Sequence, residues 1–326
     1  MGDAPAPMPD LPPGVVRTPD ARFDGLPEWP FAPQYLTLDD PPGAPGPLRL
    51  HVVDEGPRDA VETVLLLHGE PSWSYLYRRM IPPLVAAGHR VVAFDFPGFG
   101  RSDKPTAVGA YSYALHRAAL LRVVEALDLH HVTLGVQDWG GLMGLSVGAL
   151  DVPERVARLV VMNTFLPTGE EAASPAFRAW KAGVRLVKTW LPVGALMRFA
   201  LPASQAPFVR AYEAPFPSAR YKAGAAAWPL LVPTSPGGPV AETMARTRDA
   251  LRQWGKPALL VWSPSDPVLG GAARFFERLI PTAGPAVTVR GGHFLQDKSG
   301  AEIAGHVIEF LAGTPLPTAD GARGTG

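Results

Sequence analysis

An α/β architecture is predicted from this sequence: a mainly parallel sheet flanked by helices, with a helical cap inserted between two strands. Three observations predict it. Short buried apolar runs alternate with stretches of helical periodicity, the pattern of crossover-connected parallel strands. Glycine and proline close those runs at one end, where a parallel sheet presents its ligand site. The interval from Phe165 to Val232 then breaks the rhythm, with helical patterns and aromatic clusters but no convincing buried strand.

Taken in order, Leu48 to Val53 alternates apolar and polar residues and predicts an early antiparallel strand, followed by the wholly apolar Thr63 to Leu67. A helix is expected over Tyr75 to Ala87, interrupted near Pro82 and Pro83. Arg90 to Phe94 is the next buried strand, and Asp95-Phe96-Pro97-Gly98-Phe99-Gly100 forces a turn after it. Tyr113 to Leu127 has helical spacing, and Val132 to Val136 is a strand running into Asp138 and a helix from Gly140. Arg158 to Met162 and Ala258 to Trp262 follow as buried strands, with Ala286 to Val289 the last. The expected organisation is a flexible arm over 1–26, a core over 27–164 and 233–313, a cap over 165–232 and a disordered tail over 314–326.

The 326 residues suffice for one large domain carrying an insertion. Thirty acidic residues balance thirty basic ones and 47% of the chain is apolar, which argues against a nucleic-acid or polybasic membrane surface. A small uncharged molecule is the expected partner. There are no cysteines, so disulfides, thiol nucleophiles and cysteine-based metal sites are excluded. Met1 to Pro13 lacks the apolar segment of a signal peptide, and Ala6 stands where a myristoylation signal wants serine or threonine. No apolar run reaches the roughly 18 residues of a membrane helix. A cytoplasmic monomer without metal or cofactor is expected.

The chemistry begins at Val136-Gln137-Asp138-Trp139-Gly140-Gly141, where a strand meets a helix through small residues that permit a sharp nucleophile elbow. An aspartate nucleophile suits attack on a saturated carbon. It forms an alkyl ester that water can open, whereas a serine would form an inert ether. The N-terminus of the following helix favours the ionised carboxylate. His293, in Gly291-Gly292-His293-Phe294 after the last strand, can serve as general base, and Asp266, in Ser263-Pro264-Ser265-Asp266-Pro267, can orient it. The order nucleophile, acid, base supports this assignment, while the other seven histidines read as structural. His68-Gly69-Glu70-Pro71 follows the strand ending at Leu67, so the backbone N–H groups of Glu70 and Trp139 are candidates for an oxyanion hole. They would act in the second step, on the ester carbonyl of Asp138 itself. Tryptophan offers one N–H donor on a rigid apolar body, suited to a weakly hydrated halide. Trp139 is adjacent to the nucleophile. Trp180 in the cap stands open between halide binding and core packing, and Trp190 and Trp228 read as packing residues.

These pieces closely resemble the haloalkane dehalogenases of the α/β-hydrolase superfamily, over about Pro27 to Ala312. The resemblance rests on His68-Gly69-Glu70-Pro71-Ser72-Trp73-Ser74-Tyr75-Leu76-Tyr77-Arg78, on Asp95-Phe96-Pro97-Gly98-Phe99-Gly100-Arg101-Ser102-Asp103-Lys104-Pro105 and on the elbow. Phe177-Arg178-Ala179-Trp180-Lys181 is similar to the cap segment supplying a second halide-binding tryptophan in one branch of that family. That branch also takes its acid after the penultimate strand, as Asp266 does. Other branches take the acid one strand earlier, where this chain has Asn163, and a halide-binding asparagine at the position of Glu70.

The resemblance implies the α/β-hydrolase fold, with a mostly parallel eight-stranded sheet, and hydrolysis of small haloalkanes to a primary alcohol, halide and a proton. Asp138 would displace the halide, Trp139 and Trp180 hold it, and His293 with Asp266 activate water. By analogy Phe177, Phe216, Pro217, Val268 and Leu269 would line the substrate pocket. Leu142 and the cap around Val184 to Ala206 depart from the family pattern. An epoxide hydrolase using the same aspartate is the alternative, with Tyr212 and Tyr221 as candidate proton donors. A fluoroacetate-type dehalogenase would want cationic residues beside the elbow, and a non-catalytic receptor would have no need of nucleophile, base and acid together.

Overall fold

The computed structural model describes residues 11–201 and 203–316. Eight strands form one sheet: β1 (Gln34–Leu38), β2 (Leu48–Glu55), β3 (Thr63–Leu67), β4 (Arg90–Phe94), β5 (Val132–Gln137), β6 (Val156–Met162), β7 (Ala258–Trp262) and β8 (Val287–Thr288). Their spatial order is β1-β2-β4-β3-β5-β6-β7-β8. β2 runs antiparallel to β1 and β4, and every other pairing is parallel. This is the α/β-hydrolase fold. The central strands β3 and β5 are buried at every residue, as strands covered by helices on both faces must be.

The edge strand β1 lies outside the sequence expectation: its five residues are mostly half-buried, too short a pattern to separate from a loop. At the other edge only Val287 and Thr288 of the expected Ala286 to Val289 pair with β7. The helix expected over Tyr75 to Ala87 is a 3-10 turn, Ser74–Tyr77, followed by α1 (Ile81–Ala86). Pro82 and Pro83 start α1 rather than interrupt it, because a missing N–H costs nothing in the first turn. α2 (Tyr113–Ala126) is capped by the Ser112 hydroxyl, which accepts from the Leu115 N–H.

α3 (Trp139–Ser146) leaves the sheet at Asp138. After β6 come α4 (Pro175–Val187), α5 (Val193–Ala200), α6 (Val209–Glu213) and α7 (Ala223–Leu231), with no strand among the described residues until β7. α8 (Pro239–Arg252) returns the chain to the core, and α9 (Ala273–Leu279) and α10 (Leu295–Gly313) cover the sheet. A fully buried group ties α6 to the core: Arg78 donates to Asp297 Oδ1 at 2.6 Å and the Tyr212 hydroxyl donates to Asp297 Oδ2.

Of the flexible arm expected over 1–26, residues 1–10 lie outside the described part and the segment from Val15 to Phe23 is anchored to the core. Val15 and Val16 pair with Lys104 and Pro105, Phe23 is buried edge-on against Trp73, and the Thr18 hydroxyl donates to the Pro215 carbonyl at 2.7 Å. The proline-rich composition that suggested mobility conceals these anchors. Of the expected tail, Thr314 accepts a 2.8 Å bond from Arg158, and residues 317–326 lie outside the described part. No helix among the described residues is long and apolar enough to cross a membrane.

Candidate active site

The turn between β5 and α3 places Asp138 at φ +49°, a left-handed conformation that a residue with a side chain adopts only at a cost. Its surroundings impose that conformation. The Asp138 N–H donates to the Asn163 carbonyl at 3.1 Å, and its own carbonyl accepts from the Gly141 N–H at 2.9 Å and the Thr164 hydroxyl at 2.7 Å. The helix can approach the sheet this closely only without side chains at two positions. A Cβ on Gly140 would lie 2.0 Å from the Leu67 carbonyl oxygen, and one on Gly141 would lie 2.0 Å from Thr164 Oγ1. Gly69 has the same role opposite, since its Cβ would meet Asp138 Oδ1 at 2.4 Å.

The two carboxylate oxygens of Asp138 have different neighbours. Oδ1 accepts a 2.9 Å hydrogen bond from the Glu70 backbone N–H, and Oδ2 lies 3.5 Å from His293 Nε2. The other ring nitrogen, Nδ1, is 2.9 Å from Asp266 Oδ2. Asp266 is held in turn by Asn163 Nδ2 at 2.8 Å and the Val268 N–H at 2.8 Å. Asn163 carries no charge, yet it connects acid and nucleophile through its side chain and its carbonyl. Gln137 Nε2 donates to the His293 carbonyl at 3.1 Å and fixes the loop from the strand side. Neither Asn163 nor Gln137 was marked as a site residue by the sequence. Gln137 ends a strand buried on both faces, and a buried polar side chain beside a nucleophile is a usable signal.

Charge at the site follows from this geometry. Burial opposes a cationic His293, but the Asp266 and Asp138 carboxylates outweigh it and raise its pKa to about 10. Burial likewise opposes charge on Asp266, and His293 with the two donors overcomes it, so Asp266 is held below its ordinary value. Glu70 differs: burial first, then the neighbouring Asp138 carboxylate, push its carboxyl well above the ordinary range, and its buried Oε1 has no hydrogen-bond partner.

The tryptophans separate. Trp139 is buried at the head of α3, with its ring stacked on that of Trp228 at 5.0 Å. Trp180 is only partly buried on α4, and no hydrogen bond or ring contact joins it to Trp139 among the described residues. Phe177, one turn before it, is also partly buried. Phe216 is buried with its ring 6.4 Å from Phe99, which in turn packs 4.2 Å from Trp228. Phe216 also borders a cap recess of about 230 Å³, together with Val193, Glu213 and Lys222. Pro217, expected to line the pocket beside Phe216, is instead exposed and does not line an enclosed pocket. Val268 and Leu269 are partly buried beside Asp266, where the Leu269 carbonyl accepts from Trp262 Nε1 at 2.9 Å. Among the described residues no group of three or more His, Asp or Glu side chains is placed to hold a metal ion.

Comparison with known proteins agrees with this architecture. Residues 62–299 match the model of the alpha/beta hydrolase fold. A haloalkane dehalogenase of Psychrobacter cryohalolentis is 45% identical over 304 residues, covering 92% of this chain and 99% of that protein. Haloalkane dehalogenase 1 of Mycobacterium tuberculosis is 47% identical over 303 residues, with 92% and 99% covered. The tetrameric structure of haloalkane dehalogenase DpaA from Paraglaciecola agarilytica superposes with a TM-score of 0.83 at 38% identity, covering 90% of this chain and 97% of that one. Identity of this extent over nearly the full length of both partners, on the same fold, means that the chain belongs to the haloalkane dehalogenase family of the α/β-hydrolase superfamily.

Proposed function

We propose that this protein hydrolyses small haloalkanes to an alcohol, a halide ion and a proton through an alkyl ester on Asp138. The observation that carries the proposal is the unequal environment of the Asp138 oxygens. Oδ2, without a backbone donor, attacks the saturated carbon while the carbon–halogen bond breaks in line. The departing halide is received by the indole N–H of Trp139, and Trp180 is proposed as the second donor from the cap. Oδ1 becomes the ester carbonyl oxygen, already on the Glu70 N–H.

Esterification also prepares the second step. It removes the Asp138 charge, one of the two that hold a proton on His293, so the imidazole can release that proton and act as base. Water then loses a proton to His293 and attacks the ester carbonyl carbon. The Glu70 and Trp139 N–H groups hold the oxyanion until the bond to the alkyl oxygen breaks. The alcohol leaves with the proton from His293, and the proton of the regenerated carboxyl group restores the cationic resting form of His293, so the one proton released per cycle is the one His293 gave up after esterification.

The epoxide alternative requires free phenol donors in the cap. Tyr212 does not supply one, because its hydroxyl is buried and committed to Asp297. Bromide release from 1,2-dibromoethane and 1-bromobutane, with no turnover of styrene oxide, is the expected result. Styrene oxide hydrolysis without bromide release would overturn the proposal.

A monomer is the proposed assembly. Light scattering is expected to give the mass of a single chain. A tetramer, as described for the Paraglaciecola relative, would reject this and direct attention to Leu186, Trp190 and Phe199, which stand exposed in the cap region.

A further inference from the structure

We infer that Trp228 is a positioning residue of the halide site, which aims the indole of Trp139 by stacking against it while its own N–H is held elsewhere by His116. The inference rests on the reading of Trp139 as halide donor. From composition alone Trp228 is one more core tryptophan of the cap, and its contacts give it a narrower task.

Trp228 lies on α7 and is completely buried. One ring face meets Trp139, with centroids 5.0 Å apart and planes inclined by 26°. Phe99 at 4.2 Å, Phe96 at 5.5 Å and His68 at 5.9 Å surround it, so the ring cannot turn without displacing the core. Trp139 sits at the first position of α3, directly after the strained elbow. Its ring orientation is therefore set by what packs against it, and that is a side chain delivered by the cap.

The hydrogen bonding gives a second, independent indication. Trp228 Nε1–H donates to His116 Nε2. His116 must therefore carry its proton on Nδ1, which is buried and has no partner. Burial, then the nearby His68, lower the His116 pKa to about 3, so it remains a neutral acceptor at working pH. An apolar pair of the same size would fill this space without leaving a buried N–H unpaired. What the polar pair adds is direction: it fixes the edge of Trp228 toward His116 and leaves only its face for Trp139. One indole then donates to the halide and the other orients it.

The experiment compares four variants by bromide inhibition constant, KM, kcat and the decay of the alkyl-enzyme in single turnover, using 1-bromobutane. Trp228→Leu removes the stacking face. It is expected to raise the bromide inhibition constant and KM about tenfold, the cost of a weakened hydrogen bond to an anion, and to leave alkyl-enzyme decay unchanged. Trp228→Phe keeps a ring against Trp139 and is expected to restore most of the bromide affinity. His116→Phe removes the acceptor and is expected to weaken bromide in the same direction, which keeps the test available if Trp228→Leu does not fold. Unchanged bromide inhibition in Trp228→Leu, or in His116→Phe if only that variant folds, would overturn the inference and leave Trp228 as packing. Trp139→Phe separates the two levels: if it too leaves bromide inhibition unchanged, the halide reading fails, and the positioning role with it.

Discussion

Replacing His293 with phenylalanine is expected to leave an enzyme that releases one halide per active site and then stalls, with turnover lowered on the order of 10⁴-fold. Alkylation needs only the Asp138 carboxylate and a site for the departing anion, and both survive the substitution. Ester hydrolysis needs a base within reach of a water beside Asp138, and among the described residues His293 Nε2, 3.5 Å from Oδ2, is the one placed for it. Glu70 cannot take over readily, because burial and Asp138 favour its neutral form. A bromide burst equal to the enzyme concentration, and an intact-protein mass increased by the alkyl group, would be observed. A burst without adduct would sink the ester scheme.

The same variant tests the electrostatics. His293 has a pKa of about 10 in the folded protein and 6.5 as its reference, so the folded state holds the extra proton between these values. Its stabilising contribution is complete below pH 6.5 and is lost as pH rises through about 10. Asp266 has the opposite sign: lowered from 3.8, it contributes above that value and the contribution is lost as pH falls. The wild-type urea midpoint should therefore decline between pH 6.5 and 10, and His293→Phe should flatten that decline. A wild-type midpoint that is flat over this range would mean His293 is not held cationic by its two carboxylates.

Replacing Asp138 with alanine is expected to abolish halide release, by roughly 10⁴-fold or more, since no other carboxylate faces His293 from the elbow. Stability should respond differently. Alanine keeps the side-chain penalty of φ +49°, whereas glycine relieves it, so Asp138→Gly is expected to be more stable than Asp138→Ala by about 1 kcal/mol. Chemical denaturation of the two inactive variants measures this directly. Equal midpoints would show that the elbow holds Asp138 without appreciable strain.

Much of the framework was legible because its signals are local. The runs Thr63 to Leu67 and Val132 to Val136 can be little other than buried strands, and Gly140 and Gly141 mark a turn that a Cβ would obstruct. The edge strand Gln34–Leu38 and the packed segment 15–26 were not legible. Each is half-covered or proline-rich, and its order comes from partners distant in sequence. Within the site, Asn163 was read only as the absence of a carboxylate, although it binds Asp266 through its amide. Pro217 was placed in the pocket with Phe216 by analogy with the family, and of the two adjacent residues only Phe216 is buried.

Sequence by itself determined the chemistry available to this protein: an aspartate at an elbow, a histidine and an acid in the right order, and no thiol. These are covalent identities and short-range turns, and they need no partner to be read. Tertiary structure alone decided which groups converge. His293 meets Gln137 across 156 residues, Trp228 meets His116 across 112, and the Tyr212 hydroxyl is committed to Asp297 across 85. A hydrogen bond depends on distances of a few tenths of an ångström and on which way a ring faces. Over such separations those quantities are set by the packing of the whole core and cap, and no local pattern records them.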